Sequence, residues 1–331
     1  MRKIKIAQIG MNTLSHCGQI HKSLAKQSDI FEFAGICLPE NEQERLPHRM
    51  AELQAYPRLT LEQILTDPSI EAVAVETEEV FCTKYALLAA EHGKHIHMEK
   101  PGGRELADFE RLVDTVKRSG KVFHTGYMYR YNPAVQELLA KVRAGELGEI
   151  VSVEAQMNCL HNAKNRQWLQ DFPGGMMFFL GCHLVDLVLL LQGMPENIIP
   201  LNRSTGLDGV TAEDFGMAVL EYKNGVSFVK TTAVERGGYL RRQLVVTGSK
   251  ATVEIRPLEY GTESDMYTDQ ITSTAESWGA QGEAKTFGSF DRYDTMLASF
   301  AAMVRGEGQN PWSPDYELEL YKTVLRCCGA L

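Results

Sequence analysis

The sequence predicts an α/β protein in two parts, a doubly wound parallel sheet over residues 1–124 and an α+β domain over residues 125–331 with a mostly antiparallel sheet. Three observations lead there. Short apolar runs alternate with helix-patterned segments as far as Gly126, the grammar of a parallel sheet flanked by helices. Beyond that point, longer strand-like runs are joined by turn residues such as Lys223-Asn224-Gly225 and Thr247-Gly248-Ser249, the grammar of hairpins. Finally, Glu99-Lys100-Pro101 stands where one of the early strands runs out, and the carboxyl ends of parallel strands are where open sheets bind ligands.

The first strand is expected over Ile4 to Ile9, followed by Gly10 and a helix from about Gly18 that carries Ile20 and Leu24 four apart. Strand, glycine, helix is the opening of a dinucleotide-binding unit, in which amides at the helix start receive a pyrophosphate. The spaced glycines of the usual fingerprint are missing, because the loop between Gly10 and Gly18 reads Met-Asn-Thr-Leu-Ser-His-Cys. Gly10, Asn12 and Thr13 are its candidate cofactor contacts. A second strand, Phe31 to Leu38, ends at Pro39-Glu40, where Glu40 is a candidate for the ribose. Without an arginine cluster nearby, this end favours NAD(H) over NADP(H); an acidic surface turn is the alternative. A helix with Leu61, Ile64 and Leu65 leads to the strand Ala72 to Val75, whose end, Glu76-Thr77-Glu78-Glu79, faces the same edge. A helix over Thr83 to His92, a strand over Lys94 to Met98, an amphipathic helix over Leu106 to Lys117 and a strand over Lys121 to Gly126 complete this part.

The second part begins with Tyr127-Met128-Tyr129-Arg130-Tyr131-Asn132-Pro133 and a linking helix. Strands are expected over Gly148–Met157, Ile198–Arg203, Gly216–Tyr222, Gly225–Ala233 and Arg241–Thr247. Residues 261–289 are polar and patternless and read as a long loop, before closing helices over Phe290–Arg305 and Pro314–Cys328. Gly174 to Leu191 is apolar enough to suggest a membrane span, but His183, Asp186 and the absence of basic flanks make it a buried helix.

Composition narrows the function. The 34 basic and 43 acidic residues give a net charge of −9 with no basic cluster, which argues against a nucleic-acid or anionic-membrane partner. The seven cysteines, among them Cys17, lack metal-ligand spacing and read as reduced, buried residues of a cytoplasmic protein; no metal is expected. The N-terminus runs directly into a strand, without the apolar core of a signal peptide.

In Glu99-Lys100-Pro101 the proline cannot continue the sheet and biases Lys100 away from helical geometry, holding an ammonium at the ligand edge. Together with Ala90-Glu91-His92-Gly93-Lys94-His95, Arg130-Tyr131-Asn132-Pro133, Gly174-Gly175 and Gly181-Cys182-His183-Leu184-Val185-Asp186, this motif resembles the Gfo/Idh/MocA oxidoreductases over essentially the whole chain. The resemblance implies a Rossmann domain, an α+β domain whose open sheet face mediates a homo-oligomer (dimer or tetramer), and NAD(P)-dependent chemistry on a sugar, polyol or glycoside. It implies that Lys100 sits at the nicotinamide and hydrogen-bonds the reacting hydroxyl, while His183 accepts that hydroxyl's proton. It places Thr77, Glu99, Lys100 and Pro101 on the cofactor, and Tyr127, Arg130, Phe179 and His183, with Lys100, on the substrate. Lys100 and His183 are expected to converge on one substrate carbon.

The sequence also departs from the family pattern. Phe179 stands where the family places an aspartate, four residues before the histidine; Asp186 either compensates or is satisfied in the core. Thr77-Glu78-Glu79 replaces a Thr-Pro-Asn, Cys82 a histidine, and Leu38 the acidic end of the second strand. Two other readings follow from the resemblance: an enzyme that cleaves glycosides through transient oxidation, and a ligand-sensing relative without turnover.

Overall fold

The first apolar run forms β1 (Ile4–Ile9), in which five of six side chains are buried, as befits a central parallel strand covered on both faces. The computed structural model describes residues 2–331 except Ser15, Glu263 and Trp278; the Cys17 side chain, expected to be buried, also lies outside the described residues. Along the chain follow α1 (Cys17–Lys26), β2 (Phe31–Cys37), the single turn α2 (Glu42–Arg45), α3 (Leu61–Thr66) and β3 (Ala72–Val75). Then come α4 (Glu79–Glu91), β4 (His95–Met98), α5 (Leu106–Ser119) and β5 (Phe123–Thr125). The five strands are parallel in the order β2-β1-β3-β4-β5.

Local chemistry explains the boundaries. α3 starts with a capping box, the Thr60 hydroxyl accepting from the Gln63 amide while the Gln63 side chain accepts from the Thr60 amide. α5 buries Phe109, Leu112, Val113 and Val116 and stops at Gly120, whose φ of +63° suits a residue without a β-carbon. α4 starts at Glu79, four residues earlier than the expected Thr83.

The second sheet is built from β6 (Ile150–Asn158), β7 (Asn197–Pro200), β8 (Phe215–Tyr222), β9 (Gly225–Thr232), β10 (Gln243–Gly248) and β11 (Thr252–Ile255). It is accompanied by α6 (Pro133–Arg143), α7 (Ala163–Trp168) and α8 (Cys182–Gln192), the last entered through a π-helical turn, Met177–Gly181. Residues 261–289 are not the patternless loop expected. A small hairpin pairs β12 (Tyr260–Thr262) with β13 (Asp265–Tyr267), and β14 (Asp269–Ser273) and β15 (Glu283–Thr286) extend the main sheet beyond β11. The outermost of them, β15, is exposed throughout, so no apolar alternation marks it in the sequence. The order is β15-β14-β11-β10-β6-β9-β8-β7, with β6 and β9 parallel and every other pair antiparallel.

The chain folds into two compact units that are not consecutive in sequence. One contains residues 1–126 and Tyr293–Tyr321, the other Tyr127–Arg292 and Lys322–Leu331. In the first unit α9 (Asp294–Arg305) sets Phe300 against the rings of His97 and His124, and Tyr321, in the part of α10 (Pro314–Cys327) that belongs to this unit, stacks on Phe109 at 4.3 Å. In the second unit α8 lies on one face of the sheet, against the buried residues of β6 and β9, and no described helix is long and apolar enough to cross a membrane.

Candidate active site

Lys100 owes its position to the register of two strands. Val75 lies opposite Met98, the Glu99 amide donates to the Val75 carbonyl at 2.9 Å, and the chain then leaves the sheet at its carboxyl edge. The turn that follows is tied down from three sides. Gly102, at φ +126°, lies so close to Phe109 that a β-carbon would come within 2.8 Å of the ring. The Gly103 amide donates to the Thr83 hydroxyl at 2.6 Å, and its carbonyl accepts from the Tyr321 hydroxyl at 2.5 Å. Lys100 is thus 4% exposed, with its Nζ 3.5 Å from Glu99 Oε1.

The surroundings of this ammonium are acidic. Glu76 and Glu79 are fully buried. Burial pushes the Glu79 carboxyl up to about 8 against the pull of Lys100, so Glu79 carries its proton at neutral pH. Burial, with Glu99 and Glu79 beside it, raises Glu76 well above the ordinary carboxylate range. Beneath them the His97 and His124 Nδ1 atoms are 2.8 Å apart, and burial pushes His97 down to about 3, which keeps it neutral.

The glycine loop after β1 holds Gly10 at φ +90°. A β-carbon there would lie 2.3 Å from Thr77 Cγ2 and 2.7 Å from Thr77 Cα, so the glycine is demanded by the loop after β3. The loop amides have partners of an unusual kind. Met11 N–H donates to Glu42 Oε2 at 3.0 Å, and Thr13 N–H donates to Glu78 Oε1 at 2.7 Å, an oxygen that also accepts from the Thr13 hydroxyl. The Asn12 carbonyl accepts from Arg49 Nη1 at 2.7 Å, and Asn12 is buried. Burial pushes Glu42 up to about 8. Because an amide and a hydroxyl converge on one anionic oxygen, the loop's donor set fits a phosphate oxygen, with Thr13 as its centre. At the end of β2, Glu40 adopts φ +55° and accepts from Lys84 Nζ at 2.5 Å and the Tyr85 hydroxyl at 2.7 Å. These bonds, Lys84's first, hold its carboxyl below the ordinary range. Thr77 is buried, and its hydroxyl donates to the Glu78 carbonyl at 3.1 Å.

The other candidates belong to the second unit. His183, on the first turn of α8, is 3% exposed, with the rings of Tyr127 and Tyr129 edge-on to it at 5.8 and 5.1 Å. Asp186 is satisfied in the core: Arg130 donates to it through Nη2 at 2.7 Å and Nε at 3.0 Å. The Arg130 guanidinium, fully buried, also sits 4.7 Å over the Tyr127 ring. Phe179, in the π-helical turn, packs against Trp168 at 5.1 Å and Phe172 at 6.1 Å. The structure therefore groups Gly10, Asn12, Thr13, Glu40, Thr77, Glu99, Lys100 and Pro101 in one unit, and Tyr127, Arg130, Phe179 and His183 in the other. Glu42, Glu76, Glu78 and Glu79 as partners of loop and lysine were missed. The acidic run after β3 marked their place, yet Thr13 and Glu78 are 65 residues apart.

A parallel sheet whose first strand turns through a glycine into a helix, with an anion-holding loop between them, defines the nucleotide-binding class of α/β proteins. Family comparison sharpens this. Residues 4–127 match the oxidoreductase family with an NAD-binding Rossmann fold, and residues 135–254 match the GFO/IDH/MocA C-terminal domain. The chain belongs to the Gfo/Idh/MocA oxidoreductase family. It is 24% identical to the uncharacterized oxidoreductase ORF334 of Rhizobium meliloti, over 80% of this chain and 78% of that one. It is 28% identical to D-xylose 1-dehydrogenase (NADP(+)) 2 of Haloferax volcanii, over 50% of this chain and 51% of that one. Among solved structures, the aldose-aldose oxidoreductase of Caulobacter crescentus superposes with a TM-score of 0.77 at 18% identity, covering 99% of this chain and 97% of that one, which shows the fold. The xylose dehydrogenase is named for NADP(+), so the expected preference for NAD gains no support from these relatives.

Proposed function

We propose that this chain is an NAD(P)-dependent oxidoreductase that interconverts a secondary hydroxyl and a ketone on a sugar or polyol. The observation that carries this reading is the buried Lys100 at the carboxyl edge of β4, held in a turn fixed by Thr83 and Tyr321. When bound, the nicotinamide supplies a two-electron hydride acceptor or donor. In the oxidative direction Lys100 donates a charge-assisted hydrogen bond to the reacting oxygen as it becomes alkoxide-like. The His183 imidazole takes the hydroxyl proton, leaving to a bound nicotinamide only the two-electron chemistry it would supply. Thr13 N–H and hydroxyl would hold a cofactor phosphate. The relatives named for xylose and aldoses support a sugar as substrate. Glu40 would repel a 2′-phosphate, but Lys84 lies against it, so the choice between NAD and NADP is a matter for titration with both reduced nucleotides.

The test is turnover on a panel of aldoses and polyols, followed by nicotinamide absorbance. Lys100→Met should lower kcat/KM about a hundredfold, a loss of roughly 3 kcal/mol of transition-state stabilisation. His183→Ala should cost at least about a hundredfold by removing proton transfer. Wild-type rates in both folded variants would remove the assignment. The ligand-sensing reading is favoured by the loop amides being held by Glu42 and Glu78, and it predicts dinucleotide or sugar binding with no turnover at all.

A further inference from the structure

The donors that would receive a phosphate hold the chain's own carboxylates instead. Glu42, from α2, takes the Met11 amide; Glu78, from the loop ahead of α4, takes both the amide and the hydroxyl of Thr13. Two separate elements therefore fill, from within the chain, acceptor positions that such a loop ordinarily offers to its ligand. Glu78 is the more telling of the two. One of its oxygens collects two hydrogen bonds, and its side chain is 6% exposed. The Arg45 guanidinium, which is partly solvent-exposed, stands 3.9 Å from that same oxygen and 4.0 Å from Glu42 Oε1, a cationic partner within reach of either carboxyl group.

We propose that Glu78 is an internal competitor for the cofactor's phosphate, occupying the Thr13 donors until an incoming dinucleotide displaces it. The proposal rests on the dinucleotide-binding reading above and adds a residue that sets how tightly the cofactor is held. A phosphate oxygen and the Glu78 carboxylate cannot share the Thr13 amide, and left close together they repel. Entry of the pyrophosphate therefore needs Glu78 to turn away, with Arg45 placed to accept it. The loop thereby keeps its amides satisfied when no nucleotide is bound, and binding is weakened by the free energy of breaking those bonds. Adenosine carries no phosphate, so its binding is blind to this competition.

The experiment compares the wild-type chain with Glu78→Gln and Glu78→Asp, titrating ADP-ribose, adenosine and NADH by calorimetry and nicotinamide fluorescence. Glu78→Gln keeps the shape and removes the charge, and Glu78→Asp keeps the charge and shortens the reach. ADP-ribose and NADH are expected to bind Glu78→Gln roughly tenfold tighter or more, and Glu78→Asp by a smaller factor, with adenosine unchanged. Equal or weaker ADP-ribose binding in the folded variants overturns the proposal and leaves the dinucleotide reading standing. A parallel gain for adenosine also overturns it, since the effect would not then lie at the phosphate. If neither ADP-ribose nor NADH binds any of the three proteins, and NADPH titrated in the same way does not either, the competitor role and the dinucleotide reading fall together.

Discussion

At the scale of single residues, Gly10 shows how one sequence signal has two physical causes. A glycine after the first strand invites a reading in terms of a ligand's close approach. In the structure its β-carbon position is filled by Thr77, at 2.3 Å from the methyl and 2.7 Å from the backbone, and its φ of +90° is one that side chains rarely adopt. A methyl can rotate aside, but the Thr77 backbone cannot. Gly10→Val should therefore destabilise the fold by about 2 kcal/mol or more, from backbone strain together with overpacking. Chemical denaturation measures this, and an unchanged midpoint would show that the β3–α4 loop yields freely. A loss of nucleotide binding in this variant reads stability as much as contact, whereas the isosteric exchange at Glu78 does not.

At the scale of elements, α8 joins a candidate catalytic group and a structural one within a single turn. His183 faces two tyrosine rings, while Asp186, three residues on, is locked to Arg130 in a pair with both side chains about 1% exposed or less. Separating such a pair leaves an uncompensated buried charge, which costs about 3–5 kcal/mol, whereas replacing both partners by apolar groups is often close to neutral. Arg130→Met alone should lower stability by that order in urea denaturation, and the double variant Arg130→Met/Asp186→Leu should recover most of it. A double variant as unstable as the single one would mean that the pair does more than satisfy itself. The same pair accounts for both Asp186 oxygens, each of which accepts from the Arg130 guanidinium.

At the scale of the whole molecule, buried carboxyls give the stability curve its direction with pH. Glu42 and Glu79 titrate at about 8 in the folded chain and in the ordinary carboxylate range when unfolded. Between those values the native state binds protons that the unfolded state does not. Stability is therefore fully present at acid pH relative to these groups and falls as pH rises through about 8. Glu79→Gln should flatten that fall in denaturation midpoints measured from pH 5 to 9, and an unaltered slope would show that Glu79 is ionised throughout. Much of this molecule was legible in the sequence. The alternation of apolar strands and amphipathic helices, the Asn-Gly hairpin, and the glycine that ends α5 are written within windows of a few residues, because backbone periodicity and turn sterics act over that range. So was the place of Lys100, since a proline that cannot enter a sheet must follow the strand's end. The partners of those groups were not legible. Met11 meets a carboxyl group 31 residues away and Thr13 one 65 residues away, and the polar strands β14 and β15 take their identity from pairing, β14 with β11 and β15 with β14, rather than from their own pattern. The sequence by itself determined the strongly patterned strands and helices and the glycine loop after β1; the tertiary structure decided the polar strands of residues 260–286 and which side chains fill that loop, because pairing between distant segments depends on how the strands are ordered and not on local sequence.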